Sequence, residues 1–104
     1  MASHSTKYTL APSEEDRVYM EFKTEKNKIK YFAIQYSSKT PKGWRTVMRY
    51  DCAHGYLHKH IFGYSRKKEK RTEAIEGAYN SLFTEIRKEF LGNMRKIKEN
   101  YMFQ

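Results

Sequence analysis

Apolar and polar residues alternate with a period of two through the first half of the chain, and the period lengthens to that of a helix in the second. Val18, Met20 and Phe22 fall on one side of an extended segment and Tyr19, Glu21 and Lys23 on the other, the pattern of a half-buried strand. Thr24 to Lys28, with Asn27, reads as a hairpin turn. Phe32, Ile34 and Tyr36 then alternate with Tyr31, Ala33 and Gln35 until Pro41 and Gly43 punctuate the chain. A third strand places Trp44, Thr46, Met48, Tyr50 and Cys52 on one face and Arg45, Val47, Arg49 and Asp51 on the other, and Leu57 to Phe62 returns as a fourth. Residues 1–16, with Ser3, Ser5, Pro12, Ser13 and the acidic run Glu14, Glu15, Asp16, have little periodicity. They are expected to form a mobile arm or an edge cover, leaving 17–104 as the folded domain.

Beyond Tyr64 the residues Ile75, Tyr79, Leu82, Phe83, Ile86, Phe90, Leu91, Met94, Ile97 and Tyr101 follow the i, i+3, i+4 spacing of one helical stripe, with Thr72 as the expected N-cap. A helix from Thr72 to Tyr101 would run about 45 Å, against about 26 Å for an eight-residue strand. Either Gly92 and Asn93 break it, or Met94, Ile97 and Tyr101 are covered by a second copy, a homodimer through the C-terminal helix. The expected fold class is α+β: a four-stranded antiparallel meander with one face under a long C-terminal helix, breakable near Gly92.

Composition narrows the partner class. At 104 residues the chain is one domain, and nine Tyr, six Phe and one Trp give it a core that disordered chains lack. Twenty-one Lys plus Arg against twelve Asp plus Glu leave a net charge of +9, which favours RNA, another polyanion or an acidic protein. The lone Cys52 excludes an intramolecular disulfide, and no apolar run reaches the roughly 20 residues of a membrane helix. A cytoplasmic protein without membrane contact is expected. The run Arg66, Lys67, Lys68, Glu69, Lys70, Arg71 reads first as a solvated connector and second as a phosphate-contacting segment.

Three of the four histidines lie within seven residues, in Arg49-Tyr50-Asp51-Cys52-Ala53-His54-Gly55-Tyr56-Leu57-His58-Lys59-His60. If His54-Gly55 is the hairpin tip, Asp51 pairs with His58 and Arg49 with His60, and all four side chains emerge on one face. A one-residue slip would scatter them. In this register Asp51 orients His58 and favours its protonated form, while Arg49 does the reverse for His60 and holds a phosphate. Cleavage of RNA at a 2′-hydroxyl needs a base, an acid and a cation for the charge on the phosphorane, and it needs no cofactor. His58, His60 and Arg49 suit those roles, with His54 as a substitute acid. Arg45, Lys23, Tyr31, Gln35 and Tyr19 are the phosphate-contacting and stacking residues expected around them, joined by Arg66, Lys67 and Lys68 if the connector takes part.

Two other readings use the same residues. One is an ordinary polar sheet surface on a non-enzymatic module that binds nucleic acid or an acidic partner. The other is a metal site of His58, His60 and Asp51, two imidazoles and a carboxylate. Cys52 should point into the core as a structural thiol, and Trp44 should close one end of that core.

The run Arg49-Tyr50-Asp51-x-Ala53-His54-Gly55-x-x-His58-x-His60 resembles the R-Y-D-x-A-H-x-x-x-H-x-H core of small prokaryotic proteins that include toxins of the TumE type. The resemblance covers about a dozen residues and a strands-then-helix layout. It implies a toxin-like protein whose Arg49, Asp51, His54, His58 and His60 line the functional site, and an acidic antitoxin-like protein joins RNA among the expected partners.

Overall fold

Each strand pairs antiparallel with the next in a computed structural model that describes residues 3–52, 56–65 and 71–103. Among these residues the order is β1 (Ser3–Ser13), β2 (Asp16–Glu25), β3 (Lys28–Thr40), β4 (Gly43–Asp51), β5 (Leu57–Ile61) and β6 (Arg71–Ile75), followed by α1 (Tyr79–Met102). The fold is α+β, an antiparallel sheet with one C-terminal helix, and the sheet has six strands where four were expected. The two additions are its edges.

The first edge comes from the segment expected to be a mobile arm or an edge cover, and it is an edge strand. Thr6, Tyr8 and Leu10 pair with Phe22, Met20 and Val18, and Tyr8 and Leu10 pack against the core. The β1–β2 turn is fixed to β3 by hydroxyl groups. Tyr36 donates to Asp16 Oδ1 at 2.7 Å, Ser38 to the same oxygen at 2.9 Å, and Ser13 to Oδ2 at 2.8 Å. Burial alone would raise the Asp16 carboxyl, but these three hydroxyls, with the Lys98 charge, bring it below its usual value.

The second edge comes from residues expected to begin the helix. Ile75 is the last residue of β6, opposite Leu57, and Thr72 pairs with His60 instead of capping a helix. Gly77 breaks the run: at φ 143° it occupies a conformation that side chains rarely adopt, and a Cβ there would lie 3.2 Å from Leu82. The helix therefore starts at Tyr79, after Ala78, which offers no side-chain cap.

Later start and longer strands remove the expected overhang. The 24 residues of α1 span about 36 Å and the 13 residues of β3 about 43 Å. Ile97 and Tyr101 are buried within this one chain, and Met94 packs partly buried against the same core. Gly92 and Asn93 kink the helix without ending it, with Asn93 at φ −125°, ψ 20°. The described residues contain no helix long and apolar enough to cross a membrane.

The core lies between α1 and one face of the sheet. Phe83 meets Phe22 and Phe32 edge-on at 5.2 and 5.5 Å, and Phe90 meets Tyr50 and Tyr36 at 5.6 and 6.3 Å. Cys52 belongs to this side as a buried thiol, as expected.

One irregularity redistributes the side chains of β4. Tyr36 pairs with Met48 but Ser37 with Thr46, so Val47 is an extra residue, a β-bulge. Met48, Tyr50 and Cys52 keep the expected side toward the helix. Before the bulge the alternation inverts: Val47 is buried, Arg45 joins the helix side and Trp44 the opposite one. Arg45 accordingly lines a recess with Lys42, Tyr64 and Tyr101, and Trp44 lies under the Arg17 guanidinium at 4.9 Å.

Candidate functional site

The hairpin register sets the geometry of the site. Asp51 pairs with His58, Arg49 with His60 and Met48 with Ile61, as the sequence predicts. These pairs put Arg49, Asp51, His58 and His60 on the sheet face away from α1. The helix needs the other face for Tyr50 and Leu57, so a slip that moved the histidines would bury polar rings and expose apolar ones. Packing on one side thus enforces the cluster on the other.

Within the cluster Asp51 meets Arg49 along its own strand and His60 diagonally across on β5. Asp51 Oδ2 is 3.0 Å from Arg49 Nε and 3.3 Å from His60 Nε2. Asp51 thus meets His60, its diagonal neighbour, as well as standing opposite His58 in the register. One potential ligand atom from each of Asp51, His58 and His60 lies within 4.8 Å of the other two. His58 stacks on Tyr56 with ring centroids 3.9 Å apart, and the two imidazoles are 5.8 Å apart. His58 is 7% exposed and Asp51 9%, whereas Tyr56 is 51% exposed and forms the outer wall. Small Ala33, opposite Asp51 on β3, leaves room for the carboxylate and its partners.

The surroundings are aromatic and basic. Tyr31 is raised above its ordinary value first by burial and then by the charges of Glu21 and Asp51, so its hydroxyl stays a neutral donor beside two carboxylates. Lys23 sits over the Tyr31 ring at 5.4 Å. Gln35 is the cross-strand neighbour of Arg49 and donates to Ser37 at 3.1 Å. Lys23, Tyr31 and Gln35 thus share the face of the cluster, as expected, and Arg45 does not, because of the bulge. His54, Arg66, Lys67 and Lys68 lie outside the described residues.

Three residues of this face were not anticipated: Trp44, Arg17 and Tyr56. Trp44 could be placed only by knowing the bulge, which leaves no mark in the alternation, whereas Arg17 shares the parity of Tyr19, Glu21 and Lys23 on β2. Tyr56 was legible as the residue flanking the tip with the parity of His58.

Chemically the arrangement holds a carboxylate that orients an imidazole, a second imidazole near it, and a guanidinium. Asp51, His58 and His60 could also take a transition metal, in which case the ion would share Asp51 with Arg49.

Fold and site together define a small basic α+β protein with an Arg/Asp/His cluster on the uncovered face of an antiparallel sheet. The chain belongs to the family described as "Domain of unknown function (DUF7718)", whose model matches residues 1–104. No curated protein and no solved structure matches it.

Proposed function

We propose that the uncovered sheet face binds RNA and that Arg49, Asp51, His58 and His60 cleave it without a metal, by transesterification at a 2′-hydroxyl. His58 takes the 2′-hydroxyl proton as that oxygen attacks phosphorus. The bond from phosphorus to the 5′-oxygen breaks, and protonated His60 gives its proton to the leaving oxygen. The products are a 2′,3′-cyclic phosphate and a 5′-hydroxyl, and the proton count balances. Asp51 orients the His60 ring through the 3.3 Å contact, and this contact, shared with Arg49 and set beside His58, is the observation that carries the reading. Arg49 meets Asp51 through Nε, and its Nη groups are the donors for the phosphorane oxygens.

The resemblance to TumE-type toxins supports a toxin-like role with an acidic protein as inhibitor. Alanine at His58 and His60 together should reduce turnover by about 10²- to 10⁴-fold while RNA affinity stays within about threefold, because binding rests on Lys and Arg. Equal loss of binding and turnover would make the histidines part of a binding surface only. The metal reading rests on the mutual 4.8 Å spacing of Asp51, His58 and His60. It predicts that chelation abolishes activity and that Zn²⁺ or Mn²⁺ restores it.

A further inference from the structure

The bulge at Val47 creates a feature that the cleavage reading does not use. It turns Trp44 onto the uncovered face, where the indole remains 43% exposed. A large aromatic ring on a solvent-facing sheet surface costs solubility and gives the core nothing. Arg17 lies over this ring at 4.9 Å, and its guanidinium is fixed by donating from Nη1 to the Ser13 and Asp16 carbonyls, both at 2.9 Å. The Arg17–Trp44 pair is therefore a platform assembled before any ligand arrives.

Its position relative to the cluster is specific. Trp44 precedes Arg49 by five residues, one of them absorbed by the bulge, so the two stand roughly 13 Å apart along β4. At the other end Tyr56 stacks on His58 and is half exposed. Two exposed aromatic rings thus bracket the Arg/Asp/His cluster on one face. Roughly 13 Å is about four nucleotides at the ~3.4 Å rise of a stacked strand, and fewer if the strand is extended. Charge on the face is complementary to such a strand. Arg17, Lys23, Lys39 and Arg49 stand on it, while Glu21 is held by Lys7 at 3.1 Å and Asp51 by Arg49 and His60. A duplex keeps its bases stacked on each other, so only unpaired bases can use the rings.

We infer that the substrate is single-stranded RNA, with one base stacked on Trp44 and a base nearer the scissile phosphate on Tyr56. The inference rests on the RNA reading of the same face and adds the strandedness and a subsite remote from the chemistry. Trp44 is the single tryptophan of the chain, so its emission reports this subsite alone. The probe is a 2′-O-methyl oligoribonucleotide, which cannot be cleaved, offered to the intact protein as a single strand and annealed to its complement. The single strand should quench Trp44 saturably and the duplex should not. W44A should weaken single-strand binding about tenfold, W44F less, and neither should change duplex binding or melting temperature appreciably. Binding of both forms with no change in Trp44 emission and with W44A like wild type would overturn the stacking subsite and leave the RNA reading intact. Binding of neither form would overturn both. R17A supplies a second check: the ring remains but its support is lost, so single-strand affinity should fall by a smaller factor than in W44A, and no loss in either variant would count against the platform.

Discussion

The two faces of the sheet solve opposite problems with the same alternating strands. On the helix side, Phe32, Ile34, Tyr36, Tyr50 and Leu57 belong to one core with Phe83, Phe90 and Ile97, and the Tyr36 and Ser38 hydroxyls both donate to Asp16. On the other side, Asp51 and His58 are as buried as parts of the core, although no described element packs on that face. Their burial comes from neighbouring side chains such as Tyr56. A charged cluster held half in a low dielectric contributes little to stability and keeps electrostatic strength for a ligand. The comparison assigns folding to one face and leaves the other as the one we propose for chemistry.

Substitutions should separate the two. Phe90→Ala, at a fully buried ring touching Tyr36 and Tyr50, should lower stability by about 3–5 kcal/mol in denaturant titrations. Below its lowered melting temperature it should still bind RNA; loss of binding in the folded variant would mean that the faces are not separable.

A smaller effect is expected from charge. Reversal of Arg17 and Arg49 to Glu should weaken RNA binding by an order of magnitude or more at low salt and flatten the salt dependence, whereas reversal of Lys88 and Lys96, on exposed positions of α1, should change it little. Equal losses measured by anisotropy would show that net charge, and not the sheet face, recruits RNA.

The smallest effect concerns acid stability. Asp16 is below its ordinary 3.8 in the fold, so the stability it contributes is present above that value and is lost as pH falls through the lower folded value. Asp16→Asn should be less stable at neutral pH and should show a shallower decline below pH 3.8 than wild type. Parallel pH curves for the two proteins would remove Asp16 from the account.

What was legible in the sequence follows the same division. The Asp51–His58 pairing could be read because a tight tip and an apolar face on Tyr50 and Leu57 permit one register. The outer strands were harder. In β1, Thr6, Tyr8 and Leu10 alternate properly, but serines, Pro12 and the acidic turn around them resemble an arm. In β6, Ile75 lies four residues before Tyr79 and so joins the helical phase by coincidence; Gly77, with its positive φ, was the available sign of a break. The bulge at Val47 had no sign at all, since one extra valine in a strand of mixed residues satisfies either alternation. It misplaced Arg45 and hid Trp44.

We propose above all that the uncovered cluster cleaves RNA with one histidine taking the 2′-hydroxyl proton and the other protonating the leaving 5′-oxygen. The most direct test is to incubate purified protein with single-stranded RNA in excess EDTA, over a range of pH, and to identify the ends produced. The account predicts undiminished cleavage, a bell-shaped pH profile and 2′,3′-cyclic phosphate ends that disappear in the His58→Ala, His60→Ala double variant. Cleavage that stops with EDTA and returns with Zn²⁺ or Mn²⁺, or RNA left intact at every pH, would contradict it.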